Sequence, residues 1–287
     1  MKLAFLGTPA VAAGALRALV GAGHEVRLVV TRPDTRRGRG PVASPSPVKE
    51  AALAMGLPVS HRAADVMGAG AELGVVVAYG RLIRPEVLAA LPMVNVHFSL
   101  LPRWRGAAPV ERALLAGDTE TGVSLMALEE GLDTGPVYDC AATPIGPDET
   151  ADDVRGRLGE IGNELLVARL GAGLGGPQPQ VGEVTYAAKL GPGDLRLDFS
   201  QAAEVCHRQV RVGRAWTTWQ GKRLLVHRAR VLADEGDLLP GEIRGNRVGT
   251  GDGVLELVVV QPEGRPVMNG ADWARGVRPG PDGRVGG

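Results

Sequence analysis

Short apolar runs alternate with helix-like stretches over the first half of the chain, and this alternation limits the possible folds more than any other feature. Between the first two runs, Pro9 suits the first turn of a helix that continues over Ala10–Val20. The apolar runs are Lys2–Leu6, Val26–Val30, Gly74–Ala78 and Met93–Phe98. Apolar strands separated by helices are typical of a parallel sheet that is covered on both faces. We therefore predict an α/β fold with a mostly parallel sheet.

The pattern changes near Ala188, where strand-like runs follow one another without helices between them. Gly or Asp-Gly turns separate these runs, which indicates a small β domain. The runs are Leu224–Val231, Glu242–Ile243, Arg247–Gly249 and Val254–Val260. We predict a first domain over 1–188, a linker over 189–203 and a second domain over 204–287. The short, glycine-rich chain after Trp273 is expected to be disordered.

Charge divides the chain at the same place. The 32 basic and 32 acidic residues cancel, so a polyanionic partner must be bound by a local patch. Residues 189–287 carry 15 basic and 12 acidic side chains, whereas residues 1–188 carry 17 and 20. The segment His207–Arg230 holds seven of the basic residues, no acidic residue, and both Trp216 and Trp219. This segment is either a phosphate-binding surface or a solvated face above a core tryptophan.

Several common classes of site are excluded by spacing or composition. The glycines of Gly7-Thr8-Pro9 and Gly14 are wrongly spaced for a dinucleotide-binding loop, and Gly221-Lys222 lacks the Ser or Thr of a P-loop. Cys140 and Cys206 are too few for a disulfide framework or a four-cysteine zinc site. The sequence contains no uninterrupted run of about 18 apolar residues, which is the length needed to span a bilayer. We expect a cytoplasmic protein without a metal site and without a membrane partner.

The segment Asn95–Gly106 carries the polar residues best suited to chemistry. If Met93–Phe98 is a strand, its period of two places Asn95 and His97 on one face. Open parallel sheets bind ligands beyond the carboxyl ends of their strands, where an amide and an imidazole would supply hydrogen-bond donors and a titratable group. The alternative is a hydrogen-bonded pair inside the core.

An acidic loop supplies a possible third member. Glu129–Gly135 lies between the strand-like runs Gly122–Leu128 and Pro136–Ala142. Asp133 in this loop is either an Asx-turn residue or a neighbour of His97 in space. Cys206 and His207 are a weaker candidate for a catalytic pair, because adjacent residues on a helix point about 100° apart. We interpret that pair as part of a structural helix.

The Asn-x-His strand end, the Ser-Leu-Leu-Pro loop and the Leu-Asp-Thr-Gly loop together resemble the folate-dependent formyltransferases. The similar segments are Gly7-Thr8-Pro9, Pro33–Lys49, Val77–Gly80, Asn95–Pro109, Gly117-Asp118, Thr121–Val123 and Gly131–Gly135. The resemblance implies that Asn95, His97 and Asp133 are catalytic. It also implies that the residues contacting tetrahydrofolate are Ser99, Leu100, Leu101 and Pro102. The implied architecture is a Rossmann-like catalytic domain followed by a C-terminal β-barrel of the oligonucleotide-binding type.

The resemblance implies transfer of the formyl group of 10-formyltetrahydrofolate to the α-amino group of methionyl initiator tRNA. Donors from Asn95 and a protonated His97 would stabilise the developing oxyanion. Asp133 would lie beside His97 and accept the proton that the amine releases. The protein is expected to act as a monomer, without a covalent enzyme intermediate.

The catalytic motif does not choose the acceptor, because relatives formylate small amines with the same residues. The arginine-rich loop at residues 32–41 is similar to the family insertion that enters the tRNA acceptor stem, and the β domain adds a basic face. The predicted tRNA-binding residues are Arg36, Arg37, Arg39, Lys49, Arg208 and Arg211. Val212–Trp216 departs from the family's Pro-Trp-Pro-Gly-like stretch. The alternatives are a formyltransferase for an amino sugar or ribonucleotide and a noncatalytic RNA-binding protein.

Overall fold

The computed structural model describes residues 1–36, 43–232 and 238–286. The chain separates into two compact units. The first comprises Met1–Val110, Glu120–Ile145 and Asp153–Ala188, and the second comprises Glu111–Thr119, Gly146–Asp152 and Lys189–Gly287. Two short pieces that precede residue 153 thus belong to the second unit. The domain limits derived from composition stay a prediction.

The first unit is built on a seven-stranded, mostly parallel sheet. Up to residue 187 the strands are β1 (Lys2–Gly7), β2 (Glu25–Val30), β3 (Thr35–Arg36), β4 (Ala43–Ser44), β5 (Val59–Ser60), β6 (Leu73–Val77), β7 (Met93–His97), β8 (Arg105–Gly106), β9 (Glu120–Ala127), β10 (Val137–Pro144) and β11 (Tyr186–Ala187). Up to the same residue the helices are α1 (Ala10–Gly21), α2 (Pro47–Ala54), α3 (Pro85–Ala90), α4 (Pro109–Ala116) and α5 (Ala151–Ala172), and residues 111–116 of α4 belong to the second unit. The strand order is β10-β9-β7-β6-β1-β2-β5, parallel from β7 to β5 and antiparallel from β7 to β10. The predicted α/β fold is confirmed.

The two faces of β7 have different neighbours. On one face, a Cβ added to Gly162 of α5 would lie 2.9 Å from Cγ1 of Val96 and 3.7 Å from the ring of Phe98. Glycine therefore lets α5 approach the sheet closely. On the opposite face, the buried side chains of Met93, Val87 of α3 and Val66 belong to one apolar cluster. Helical segments thus cover both faces of the sheet.

The second unit contains a curled antiparallel sheet. Its strands are β12 (Ala215–Trp219), β13 (Lys222–Leu232), β14 (Ile243–Arg244), β15 (Arg247–Gly249), β16 (Val254–Pro262) and β17 (Met268–Asn269), and its helices are α6 (Ala203–Val212) and α7 (Gly270–Val277). The order is β12-β13-β16-β15-β14, with β17 paired to β16. The half-barrel confirms the predicted C-terminal β domain. No helix in the three described ranges is long and apolar enough to cross a membrane.

The C-terminal tail connects the two edges of this sheet. Val285 pairs with Trp219 of β12, and Arg284 pairs with Glu242 next to β14. The N–H of Ile243 donates to the carbonyl of Gly283 at 3.0 Å. Val285 is buried in the core of the unit. The expected disorder of the tail is wrong for residues 274–286, because α7 and these contacts give the segment both an apolar site and backbone partners.

Candidate active site

The end of β7 presents a buried histidine whose two nitrogens face different groups. Nε2 of His97 lies 2.9 Å from the carbonyl oxygen of Trp104. Because a carbonyl oxygen only accepts, Nε2 must carry the donated proton. Nδ1 lies 3.7 Å from Oδ2 of Asp133, which is longer than a direct hydrogen bond. Nδ1 therefore faces a carboxylate across a narrow gap.

Asp133 reaches His97 from the loop between β9 and β10. Its φ of +50° lies in the left-handed region, which Asp and Asn tolerate better than most residues. Oδ2 accepts the backbone N–H of Gly106 at 2.8 Å. Oδ1 has no hydrogen-bond partner among the described residues. One carboxylate oxygen is thus fixed, and the other remains able to accept a proton.

Asn95 lies two positions before His97 on the same face of β7 and is partly buried. Its side-chain amide makes no hydrogen bond within residues 1–36, 43–232 and 238–286. Asn95 is therefore not part of a hydrogen-bonded core pair, and its amide N–H is of the type that can donate to a carbonyl oxygen. Within those same residues, no group of three His, Cys, Asp or Glu side chains is placed to hold a metal ion.

The Ser-Leu-Leu-Pro loop is shaped by internal hydrogen bonds. The buried Ser99 hydroxyl donates to the carbonyl of Arg103 at 2.6 Å. Oγ of Ser124 donates to the carbonyl of Ser99 at 2.8 Å and accepts the N–H of Leu101 at 3.1 Å. These bonds give Ser99 a role in loop conformation. Folate contact by Ser99 and by Leu100–Pro102 stays a prediction.

A distant segment, residues 178–187, adds contacts that sequence reasoning missed. Oγ1 of Thr185 accepts the N–H of Trp104 at 2.9 Å, and β11 pairs in parallel with β8. Gln180 binds both Arg105 and the carbonyl of Asp133. No periodicity or motif in this stretch indicates these contacts, since each joins residues far apart in the sequence.

The two N-terminal tRNA-binding candidates that the structure describes have different surroundings. Arg36 is exposed on β3. Lys49 lies in α2, and its Nζ donates to both carboxylate oxygens of Asp34 at 2.8 Å. Its charge is therefore already balanced in this conformation. Arg37 and Arg39 lie outside the described residues.

The candidates on α6 are held by backbone carbonyls within the second unit. Arg211 donates from Nε to the carbonyl of Glu149 and from Nη2 to that of Gly146, both at 2.7 Å. Burial lowers the pKa of Arg211 from its usual value. Arg208 donates to the carbonyl of Glu204 on its own helix at 3.3 Å. These contacts give Arg211 a structural role, and tRNA contact by either arginine stays a prediction.

The two tryptophans of the basic segment have different surroundings. Trp219 packs edge-on against the buried Trp273, with ring centroids 5.7 Å apart. The guanidinium groups of Arg223 and Arg196 lie 4.4 and 5.6 Å from the ring of Trp216. The core interpretation therefore applies to Trp219. Trp216 belongs to a cationic surface, where arginine–aromatic contacts are favourable.

Comparisons with known proteins identify the family of the chain. Residues 1–170 match the family model described as formyl transferase, and residues 189–278 match the one described as formyl transferase, C-terminal domain. A methionyl-tRNA formyltransferase of Heliobacterium modesticaldum is 45% identical, with 100% of both chains covered. One of Thermus thermophilus is also 45% identical, with 100% of this chain and 99% of the relative covered.

Solved structures share the fold at lower identity. A methionyl-tRNA formyltransferase from Clostridium thermocellum superposes with a TM-score of 0.63 and 18% identity over 82% of this chain and 95% of that chain. An N-formyltransferase from Helicobacter canadensis was solved with folinic acid and dTDP-3-aminofucose. It superposes with a TM-score of 0.68 and 16% identity over 90% of this chain and 99% of that chain. The resemblance drawn from the motifs is confirmed at the level of the whole chain, which belongs to the formyl transferase family.

Proposed function

We propose that this protein transfers the formyl group of 10-formyltetrahydrofolate to the α-amino group of methionyl initiator tRNA. The observation that carries the chemistry is the pairing of His97 with Asp133 next to the unpartnered amide of Asn95. The similarity to methionyl-tRNA formyltransferases over the full chain supports the choice of acceptor. The three residues act as a unit at the carboxyl end of β7.

The first task of the site is to stabilise negative charge on the formyl oxygen during attack by the amine. 10-Formyltetrahydrofolate supplies the formyl carbon. Asn95 donates from its amide, and His97 donates from Nδ1, because Nε2 is held by Trp104. Fixed donors that meet charge only in the transition state accelerate the reaction without tightening substrate binding.

The second task is to move one proton. Oδ1 of Asp133 accepts the proton released by the amine, directly or through one water, while Oδ2 stays bound to Gly106. One N–C bond forms at the methionine amine, and one N–C bond to the folate breaks. The proton taken from the amine returns to the leaving nitrogen. Charges and atoms balance without electron transfer.

The remaining assignments concern binding. The Ser99–Pro102 loop would contact the folate. The basic loop near Arg36 and the domain over 204–287, with its arginine-flanked Trp216, would contact tRNA. The catalytic domain would extend over 1–188 and the linker over 189–203. The protein would act in the cytoplasm as a monomer.

The test is formyl transfer from 10-formyltetrahydrofolate to charged initiator tRNA, compared with uncharged tRNA, free methionine and an amino sugar. We expect rapid transfer to the charged tRNA alone, with a steep loss of activity as salt is raised. Comparable transfer to a small amine would overturn the choice of acceptor. Binding of tRNA without any transfer would overturn the enzymatic function.

A further inference from the structure

The side chain of Gln180 is fully used by hydrogen bonds to the two loops that form the site. Its Nε2 donates to the carbonyls of Asp133 and Gly135, each at 2.8 Å. Its Oε1 accepts from Nε of Arg105 at 3.0 Å and from Nη2 at 2.6 Å. A primary amide has two donor hydrogens and an oxygen with two lone pairs. Every position of the Gln180 amide is therefore occupied.

Both partners of Gln180 lead directly to the catalytic carboxylate. Asp133 has a left-handed backbone, which is uncommon for residues other than glycine even though Asp tolerates it better than most. Arg105 immediately precedes Gly106, whose N–H binds Oδ2 of Asp133. Gln180 therefore binds the backbone on the Asp133 side of the Gly106–Asp133 hydrogen bond and the Arg105 side chain on the other side.

The loop has little other freedom near this point. A Cβ added to Gly135 would lie 2.0 Å from the carbonyl oxygen of Ala127, so the chain passes the end of β9 without room for a side chain. The bonds from Gln180 fix the direction of the carbonyls of Asp133 and Gly135 in this tight turn. Loss of these bonds would let the Asp133 carboxylate rotate away from His97.

We propose that Gln180 is a positioning residue for formyl transfer, which holds the Asp133 loop and β8 in the geometry that sets the carboxylate against His97. Its effect on the rate rests on the proposed function, whereas its effect on loop geometry does not. Gln180 lies between the segments matched by the two family models, residues 1–170 and 189–278. Those matches therefore do not include it.

The first measurement compares kcat and KM for Gln180→Leu, Gln180→Glu and the control Gln178→Leu. The control lies on the same segment, and among the residues that the structure describes its side chain reaches only the carbonyl of Gly176, at 3.5 Å. Gln180→Glu keeps an acceptor for Arg105 but has no donors for the two carbonyls. We expect kcat to fall by roughly 10- to 100-fold in both Gln180 variants, as for a small misplacement of a reacting group. The KM of the Gln180 variants, and both kcat and KM of the Gln178→Leu control, should change by less than about twofold.

A second measurement separates positioning from general destabilisation. In an Asp133→Asn background, Gln180→Leu should cause little further loss of kcat, because the carboxylate that it positions has already been removed. A purely structural role predicts the same fold-loss in both backgrounds. Equal losses would overturn the proposal.

A third measurement requires no activity. Hydrogen exchange of the Gly106 amide, followed by NMR, should be at least about tenfold faster in Gln180→Leu than in Gln178→Leu, with the amides of β6 unchanged. Unchanged Gly106 exchange, or a kcat near that of the unsubstituted protein, would overturn the proposal. An unsubstituted protein that transfers nothing to charged tRNA would instead refute the proposed function, and Gly106 exchange would still decide whether Gln180 holds the loop.

Discussion

The negative charge of Asp133 can be removed with little disturbance of the loop. Asn is among the residues that best tolerate the left-handed backbone found at this position. An Asn side-chain oxygen can still accept the N–H of Gly106, as the carboxylate does at 2.8 Å. Asp133→Asn therefore tests the charge itself, whereas Asp133→Ala would also remove that acceptor.

The size of the effect follows from the separation of the two groups. Nδ1 of His97 and Oδ2 of Asp133 are 3.7 Å apart, and their side chains are 6% and 13% exposed. Two unit charges at about this distance attract by about 4 kcal/mol at an effective dielectric constant of about 20. Because Nδ1 of His97 can donate only from the imidazolium, and the carboxylate favours that form, loss of this attraction slows the reaction by up to about 10³-fold, since about 1.4 kcal/mol corresponds to a factor of ten.

Single-turnover formyl transfer to charged initiator tRNA, at saturating 10-formyltetrahydrofolate, measures this loss. Asp139→Asn is the matched control, because Asp139 of β10 is also paired with a cation, Arg169 of α5. We expect the control to retain its rate and the thermal midpoints of both variants to stay within a few degrees. An Asp133→Asn protein with more than about a tenth of the original rate would refute the electrostatic reasoning.

Three further predictions concern other parts of the chain. Asn95→Ala should lower kcat by about 10²- to 10³-fold, the usual loss for one oxyanion donor, with an unchanged unfolding midpoint. Truncation after Asp282 removes the buried Val285 and the backbone bonds of the tail, so the free energy of unfolding in urea should fall by roughly 3 to 6 kcal/mol. Burial raises the pKa of Cys206 from 9.0 to about 12, so the folded protein keeps a proton that the unfolded chain releases. Stability should therefore decline between pH 9.0 and about 12, and less so in Cys206→Ala.

Each of these three predictions would be contradicted by a specific result. An Asn95→Ala enzyme with a near-normal rate would remove that amide from the chemistry. A truncated protein as stable as the full chain would show that the tail contributes no net packing energy. Parallel pH profiles for the Cys206→Ala and unsubstituted proteins would show that the buried thiol is not linked to unfolding.

The parts of the fold that the sequence predicts are those encoded by local periodicity. The predicted strand Met93–Phe98 corresponds to β7, which ends at His97, and its period of two places Asn95 and His97 on one face. The predicted strands of the β domain match β13 to β16 within one or two residues at most ends. Apolar runs and turn residues are sufficient for these assignments because each depends on neighbours within a few positions.

Two of the missed features depend on contacts between distant residues. Gln180 is 75 positions from Arg105, and a single glutamine in an irregular segment carries no periodic signal. Val285 is buried only because β12 and the chain beside β14 lie on either side of it. Composition alone therefore indicated disorder for a tail whose partners lie elsewhere in the sheet.

The discontinuous make-up of the second unit affects any attempt to transplant it. Arg211 is bound by carbonyls of Gly146 and Glu149, which precede the main body of the unit by about 40 residues in the sequence. A graft that starts at Lys189 would leave this half-buried cation without its oxygen acceptors, at a cost typical of unpaired buried charges. A domain exchange with another protein would have to transfer all three stretches of the unit together, namely 111–119, 146–152 and 189–287.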